Sequence, residues 1–245
     1  MLGMKIPFIK EKEVFEVNPD LEANVHVVGP EEIRVVVIDN FYKNPDMVRD
    51  LTLSIPPTEN SKIMAGTPGT RVFGHYDFET LYPIFRHVFR TVYTDLTKDV
   101  SDDQIYESVR TTPFCVNINQ SVNLPPVTPH IDDRDSMLFA AGIYLNTPEE
   151  CSGGTSFYML NGKQTITNED IGQWLKSQGK EKFWDHYITD TDDVPDWELL
   201  SVAEMKYNRL VMYPGNVVHT AYMKPDTFTG DLYRLIQMMF IALDP

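Results

Sequence analysis

The sequence predicts a mainly β, α+β domain: a jelly-roll-like double sheet with supporting helices contributed by its N-terminal part. Three observations predict it. Short apolar runs rich in β-branched and aromatic residues follow one another after Tyr106. Turn-forming clusters separate them, at Asn146-Thr147-Pro148, Ser152-Gly153-Gly154 and Pro214-Gly215-Asn216. Helical periodicity is concentrated before Tyr106, and many short strands behind N-terminal helices form a double sheet with helices on one side.

Taken in order, Ile33-Arg34-Val35-Val36-Val37-Ile38 is a strand candidate, and His26 lies in a strand-like stretch before it. Asn44-Pro45-Asp46-Met47 opens a helix: Asn44 as cap, Pro45 in the first turn, Asp46 at the positive end of the helix dipole. Leu81, Phe85, Val88, Val92 and Leu96 recur at helical spacing, so about 78–96 is an amphipathic helix lying on something flat. The glycine-containing stretch from Ile63 to Arg71 reads as a loop, with a border of the functional site as the alternative, since glycines permit close backbone approach. Strands follow at 114–118, 138–145, 155–158, 209–213, 217–222 and 233–241. Between about 161 and 204 the rhythm breaks. Asn168-Glu169-Asp170 starts a helix with Ile171, Trp174 and Leu175 on one face and Gly179 as its stop, followed by an acidic stretch from Asp190 to Asp196. This interval reads as an insertion, a lid or an interface element, with Phe183, Trp184, Tyr187 and Trp197 either forming an aromatic lid or packing onto the sheet. The organisation expected is a support region over 1–105 and a core over 106–245, both in one domain.

Composition narrows the function classes. The 245 residues suffice for one domain with a sizeable core, and 42% hydrophobic with 23% charged residues is ordinary for a globular chain. A formal net charge of −15 disfavours nucleic acid and anionic membrane as partners. Neither a signal peptide nor a run of about 20 apolar residues is evident, so a cytoplasmic protein is expected. Cys115 and Cys151 form no metal motif and are expected as free thiols.

The chemistry-bearing feature is Pro129-His130-Ile131-Asp132. In a strand, residues i and i+2 share a face, so His130 and Asp132 can reach one ion. A third ligand must come from a neighbouring strand, and His219 is the candidate because Pro214-Gly215 delivers it inside a sheet-like segment. Two histidines and one carboxylate suit a facial triad for a non-haem ferrous ion, with half the coordination sphere open. The competing reading of His219 is a hydrogen-bonded core histidine. His75-Tyr76-Asp77 repeats the spacing, but Asp77 stands where a helix begins and reads as a cap.

The segment from Ala141 to Phe157, Ala-Gly-Ile-Tyr-Leu-Asn-Thr-Pro-Glu-Glu-Cys-Ser-Gly-Gly-Thr-Ser-Phe, resembles the Tyr-Leu-Asn…Gly-Gly-x-Thr-x-Phe signature of prolyl 4-hydroxylase-like 2-oxoglutarate/Fe(II) dioxygenases. Arg209 to His219 resembles that family's distal-histidine strand pair, and Tyr233-Arg234-Leu235-Ile236 its last strand. The likeness spans about 106–243 and rests on four motifs in order. It implies a double-stranded β-helix, His130, Asp132 and His219 as iron ligands, Arg234 on the distal carboxylate of 2-oxoglutarate, and Tyr144 donating its hydroxyl to the same group. It also implies ascorbate as a candidate reductant and hydroxylation of a small-molecule or peptide substrate, with release of succinate and CO2. Asp132 favours hydroxylation, since related halogenases lack this carboxylate.

Two departures stand out. Arg234 follows His219 by an unusually long interval, so Met223 to Asp231 is expected to form an enlarged hairpin, with Lys224 as a rival anion partner and Arg134 a weaker one. The family's tyrosine-bearing segment before His-x-Asp is replaced by Asn117-Ile118-Asn119-Gln120, where Asn119 is the candidate to take that role. Two alternatives stay open: a jelly-roll binding or structural module without turnover, and a cupin-like metalloenzyme that does not use 2-oxoglutarate.

Overall fold

A computed structural model describes residues 11–56, 58–59, 70–119, 129–132, 137–179, 196–223 and 227–243. The elements, in order, are α1 (Glu11–Val14), β1 (Glu22–Val28), β2 (Ile33–Asp39), α2 (Pro45–Ser54), β3 (Thr58–Glu59), β4 (Thr70–Gly74), α3 (Tyr82–Thr91) and α4 (Asp102–Thr111). They continue with β5 (Phe114–Asn119), β6 (Leu138–Tyr144), β7 (Gly154–Leu160), α5 (Asn168–Ser177), β8 (Trp197–Glu204), β9 (Leu210–Pro214), β10 (His219–Tyr222) and β11 (Arg234–Ala242).

The strands form two antiparallel sheets, a large one in the order β1-β2-β9-β6-β11-β5-β4-β3 and a small one in the order β10-β7-β8. Alternation along the central strands of the large sheet sends their residues to two cores. One face (Val36, Ile38, Phe139, Ala141, Met212, Met239) packs under the helices, against Val48, Phe85, Phe89 and Ile105. The other (Val35, Val37, Tyr144, Val211, Tyr213, Ile236) faces Phe157 and Met205 of the small-sheet side. This is the mainly β, jelly-roll-like double sheet that the strand pattern predicts, and the double-stranded β-helix that the resemblance implies. β1, β2 and β4 belong to the same sheet as β5, β6, β9 and β11, and α4 runs across residue 105.

Several local expectations change. The helix at Pro45 forms, but Asn44 makes no side-chain cap; Pro45 and Asp46 alone mark the start. The periodic stretch 78–96 is a single 3-10 turn (Glu79–Leu81) followed by α3 ending at Thr91. It stops there because Arg90 turns its guanidinium onto the carbonyls of Thr97 and Val100 and folds the chain back. Asp77 accepts from the Glu79 backbone N–H at 2.9 Å and pairs with Arg110, the structural role expected of it. α4 went unmarked, although Ser101 and Gln104 form a capping box at its start and Ile105 and Val109 are buried.

Thr70 and Arg71, read as the end of a loop, begin β4 instead. The expected insertion is shorter than 161–204, because 197–204 is β8, paired along β7. α5 forms where expected, capped by Thr167 and Asp170, and its Trp174 packs on Trp197 with ring centroids 5.3 Å apart. Trp197 is therefore a packing residue; Phe183, Trp184 and Tyr187 lie outside the described residues. β10 and β11 belong to different sheets, so the segment between them is a crossover and not a hairpin. Cys115 and Cys151 are free thiols. Among the described residues no helix is long and apolar enough to cross a membrane.

Candidate metal centre

The centre forms where three chain segments meet at one edge of the small sheet. Pro214 ends β9 in the large sheet; Gly215 and Asn216 turn the chain, and β10 begins at His219 in the small sheet. His130 pairs with His219 as an isolated bridge, each backbone N–H donating to the other's carbonyl at 2.9 Å. Asp132 then donates its backbone N–H to the Gly215 carbonyl at 2.8 Å. His130 and Asp132 thus reach one site from an extended segment and a bend, and not from the regular strand expected.

His130, Asp132 and His219 offer ligand atoms that all lie within 4.8 Å of one another, the only such His/Cys/Asp/Glu group among the described residues. Asp132 Oδ2 is 3.2 Å from His219 Nε2, and Asp132 Oδ1 is 3.7 Å from His130 Nε2. Ligands at about 2.1 Å from an octahedral ion and cis to one another stand about 3 Å apart. The His219 ring is oriented from behind, since its Nδ1 lies 2.8 Å from the Val217 carbonyl. An Nδ1–H donating there leaves Nε2 as the ligand atom. Asp132 Oδ2 is buried and, among the described residues, has no donor in good hydrogen-bond geometry; its near neighbour is His219 Nε2 at 3.2 Å, as suits two ligands sharing an ion. The donor set and the orphaned oxygen fit a divalent transition metal.

Electrostatics agree. Burial pushes the Asp132 carboxyl up, but the neighbouring His219, His130 and Arg71 outweigh it and hold it below the usual carboxylate range. Burial pushes His219 down, and Asp132 beside it raises it above its ordinary value. Tyr213, whose ring lies 4.6 Å from that of His219, is pushed far up by burial and by Asp132, and stays a neutral phenol.

A cavity of about 110 Å³ opens on the triad, and its lining includes Arg234, Asn119, Thr155 and Arg71. Arg234 is 3% exposed, faces Asn119 in register, and donates to the Gly154 carbonyl at 3.3 Å; its Nε has no hydrogen-bond partner among the described residues. Burial pushes its guanidinium below the ordinary arginine value. Tyr144 is fully buried one layer behind the cavity. Its hydroxyl lies 2.7 Å from the Thr155 hydroxyl, and the Arg234 guanidinium sits over its ring at 5.7 Å. Thr155 is thus the hydroxyl of this pair that lines the cavity. Lys224 and Arg134 lie outside the described residues.

The Gly153-Gly154 pair lets β7 begin in a space too tight for a side chain. Gly153 has φ +74, and a Cβ there would overlap the Tyr222 carbonyl; one on Gly154 would overlap the Ala203 carbonyl. Sequence reasoning placed Arg71 at the end of a glycine-containing loop, with a border of the site as the alternative, and did not single out the Arg71 side chain. Its signal was the run Arg71-Val72-Phe73 after Gly69, strand-like but short and next to a stretch that reads as a loop.

No curated protein matches the chain. Among solved structures, HygX from Streptomyces hygroscopicus with nickel and 2-oxoglutarate bound is 13% identical (TM-score 0.44; 84% of this chain, 81% of that one). SnoK, a non-heme alpha ketoglutarate dependent carbocyclase from nogalamycin biosynthesis, is 12% identical (TM-score 0.43; 86% and 80%). An N-substituted L-amino acid dioxygenase from Burkholderia ambifaria AMMD is 9% identical (TM-score 0.41; 87% of each). A protein-family model matches residues 19–232, and the chain belongs to that family, one of unknown function (DUF6445).

Proposed function

We propose that this protein is a 2-oxoglutarate- and Fe(II)-dependent oxygenase that hydroxylates a small-molecule or peptide substrate. The observation that carries the reading is the convergence of His130, Asp132 and His219 on a cavity that also holds the buried Arg234. Ferrous iron, when bound, supplies dioxygen chemistry coupled to decarboxylation of the oxoacid.

The chain's own residues bind, orient and shield. His130, Asp132 and His219 hold the ion and leave the rest of its coordination sphere to cosubstrate and dioxygen. Arg234 receives the distal carboxylate of 2-oxoglutarate through charge-assisted hydrogen bonds, with Asn119 beside it. Thr155 offers its hydroxyl to that carboxylate, and Tyr144 fixes Thr155 from behind. A metal site that uses no oxoacid leaves the buried guanidinium of Arg234 without a purpose, which favours this reading over a cupin-like one.

Anaerobic addition of Fe(II) and 2-oxoglutarate should give a weak visible charge-transfer band, and admission of air should then yield succinate. Absence of both rejects the proposal. Arg234→Ala should weaken 2-oxoglutarate binding, read from the band, at least 10-fold while metal binding persists. If Lys224→Ala does this instead, the anion partner is misassigned.

A further inference from the structure

A free edge strand offers unpaired peptide groups to any other chain, and proteins blunt it with a short strand, a lysine, a proline, a bulge or a cover. Three of the four sheet edges are managed in this way. At one edge of the large sheet, β3 is only two residues long. In the small sheet, β8 shifts register against β7 at Phe157/Tyr158, and β10 is four residues long and carries the His130 bridge. β1, the other edge of the large sheet, has none of these devices. Its seven residues, from Glu22 to Val28, include no lysine or proline and pair with β2 without a break in register.

The strand is also apolar where an open edge is ordinarily polar. Glu22 to Val27 are all exposed, Val25 at 48% and Val27 at 63%. Among the described residues, the hydrogen bond that β1 receives from beyond β2 lies at its very end, where the Gln164 amide donates to the Val28 carbonyl at 2.9 Å. A net charge of −15 keeps copies of this chain apart in general, so any pairing here has to be locally complementary.

β1 is complementary to itself in one antiparallel register. Turned about a two-fold axis through Asn24, a second β1 sets Glu22 opposite His26 twice and Ala23 opposite Val25 twice. Alternation puts these pairs on different faces. Glu22, Asn24 and His26 share the face of Val35 and Val37, and Asn24 and His26 line a cavity of about 500 Å³ there. Ala23, Val25 and Val27 share the other face, where the second copy's Leu21 meets Val27. An imidazole N–H thus donates to a carboxylate on one face while valines leave water on the other, the kinds of cross-strand pair that stabilise sheets. Centring the axis on Val25 instead sets Glu22 against Val28 and His26 against Asn24, and both polar pairs are lost.

We propose that β1 is an interface for a second copy of this chain: two protomers pair β1 with β1 antiparallel, centred on Asn24, and join their large sheets into one. The inference goes beyond the oxygenase reading and does not depend on it. One strand pair with its flanking side chains is a small interface, so the dissociation constant expected is micromolar.

The test is analytical ultracentrifugation of the whole protein from about 1 to about 200 μM. The mass should rise with concentration toward twice 28.2 kDa. Val27→Lys, at an exposed position, should weaken the dimer at least about 10-fold with an unchanged circular dichroism spectrum. His26→Glu sets like charges opposite one another at both symmetric places and should weaken it about 10-fold. Adding Glu22→His to that variant exchanges the two partners and should restore the affinity to within about threefold, a recovery that only this register gives. A protein that stays monomeric over the whole range overturns the proposal, and this result needs no variant. A dimer that neither Val27→Lys nor His26→Glu weakens also overturns it, as does a loss in His26→Glu that the exchange does not recover.

Discussion

Replacing Asp132 by Ala should remove the metal dependence of stability. Asp132 is the one anionic member of the triad; its side chain is mostly buried, at 12% exposed, and held close to both histidines. A ligand that binds only the folded state stabilises it by about 2.7 kcal/mol at 100 times its dissociation constant. For a domain of this size, each kcal/mol moves the melting temperature by about 2–4 °C. Mn(II), an ion without redox complications, should therefore raise the melting temperature of the unmodified protein by about 5–11 °C at that concentration. Even loss of a residue that merely orients a ligand costs about 10–100-fold in affinity. Loss of the carboxylate ligand itself should exceed that and bring the increment close to zero at the same Mn(II) concentration. The assay is a thermal melt across a Mn(II) series, and the quantity compared is the metal-dependent increment, because the substitution also changes the metal-free protein by removing the partner of His219. An equal increment in Asp132→Ala, or none in the unmodified protein, refutes the reasoning.

Two other outcomes follow from the frame around the site. Asp39 accepts from Arg209 at 2.6 and 3.0 Å and from Lys206 at 2.8 Å, which lowers its pKa from 3.8 to about 2. At about 1.4 kcal/mol per unit this contributes about 2 kcal/mol of stability. Because the folded-state value is the depressed one, that stability is fully present above about pH 4 and is lost as pH falls through about 2. Asp39→Asn should accordingly be less stable by about 2 kcal/mol at pH 7 in urea unfolding, and the gap to the unmodified protein should narrow steadily as pH falls from about 4 toward about 2; a gap independent of pH counts against the ion pair. Gly153→Ala should lower stability by at least about 3 kcal/mol, through its left-handed backbone and the overlap with the Tyr222 carbonyl. A melting temperature within 2 °C of the unmodified protein would show that the backbone yields there.

The sequence made the strands and the triad legible for a physical reason. β-branched runs, Gly/Pro turns and the His-x-Asp spacing are local signals, and His219 is marked by its own apolar strand. What was missed depends on partners distant in sequence. β8 lacks a clean alternation, and only pairing with β7 makes it a strand. Arg71 becomes a cavity residue only because β4 is laid beside β5. The Met223–Asp231 interval looks like a hairpin until β10 and β11 are assigned to different sheets. Tyr144 lies beside Arg234, but only packing reveals that its hydroxyl meets Thr155, which lines the cavity.

The reciprocal peptide hydrogen bonds between His130 and His219 have a further consequence. The spacing of the two histidine backbones is fixed by these bonds, and the Asp132 backbone is pinned by its own bond to Gly215. Such a frame discriminates by ionic radius. Ions with bonds near 2.1 Å and a taste for imidazole suit this frame, whereas Ca²⁺, which needs 2.3–2.6 Å and six to eight oxygen ligands, is poorly matched by two imidazoles and one carboxylate. In the proposed centre, the rigidity of a β-bridge would therefore bear on the choice of metal alongside the chemistry of the ligands it carries.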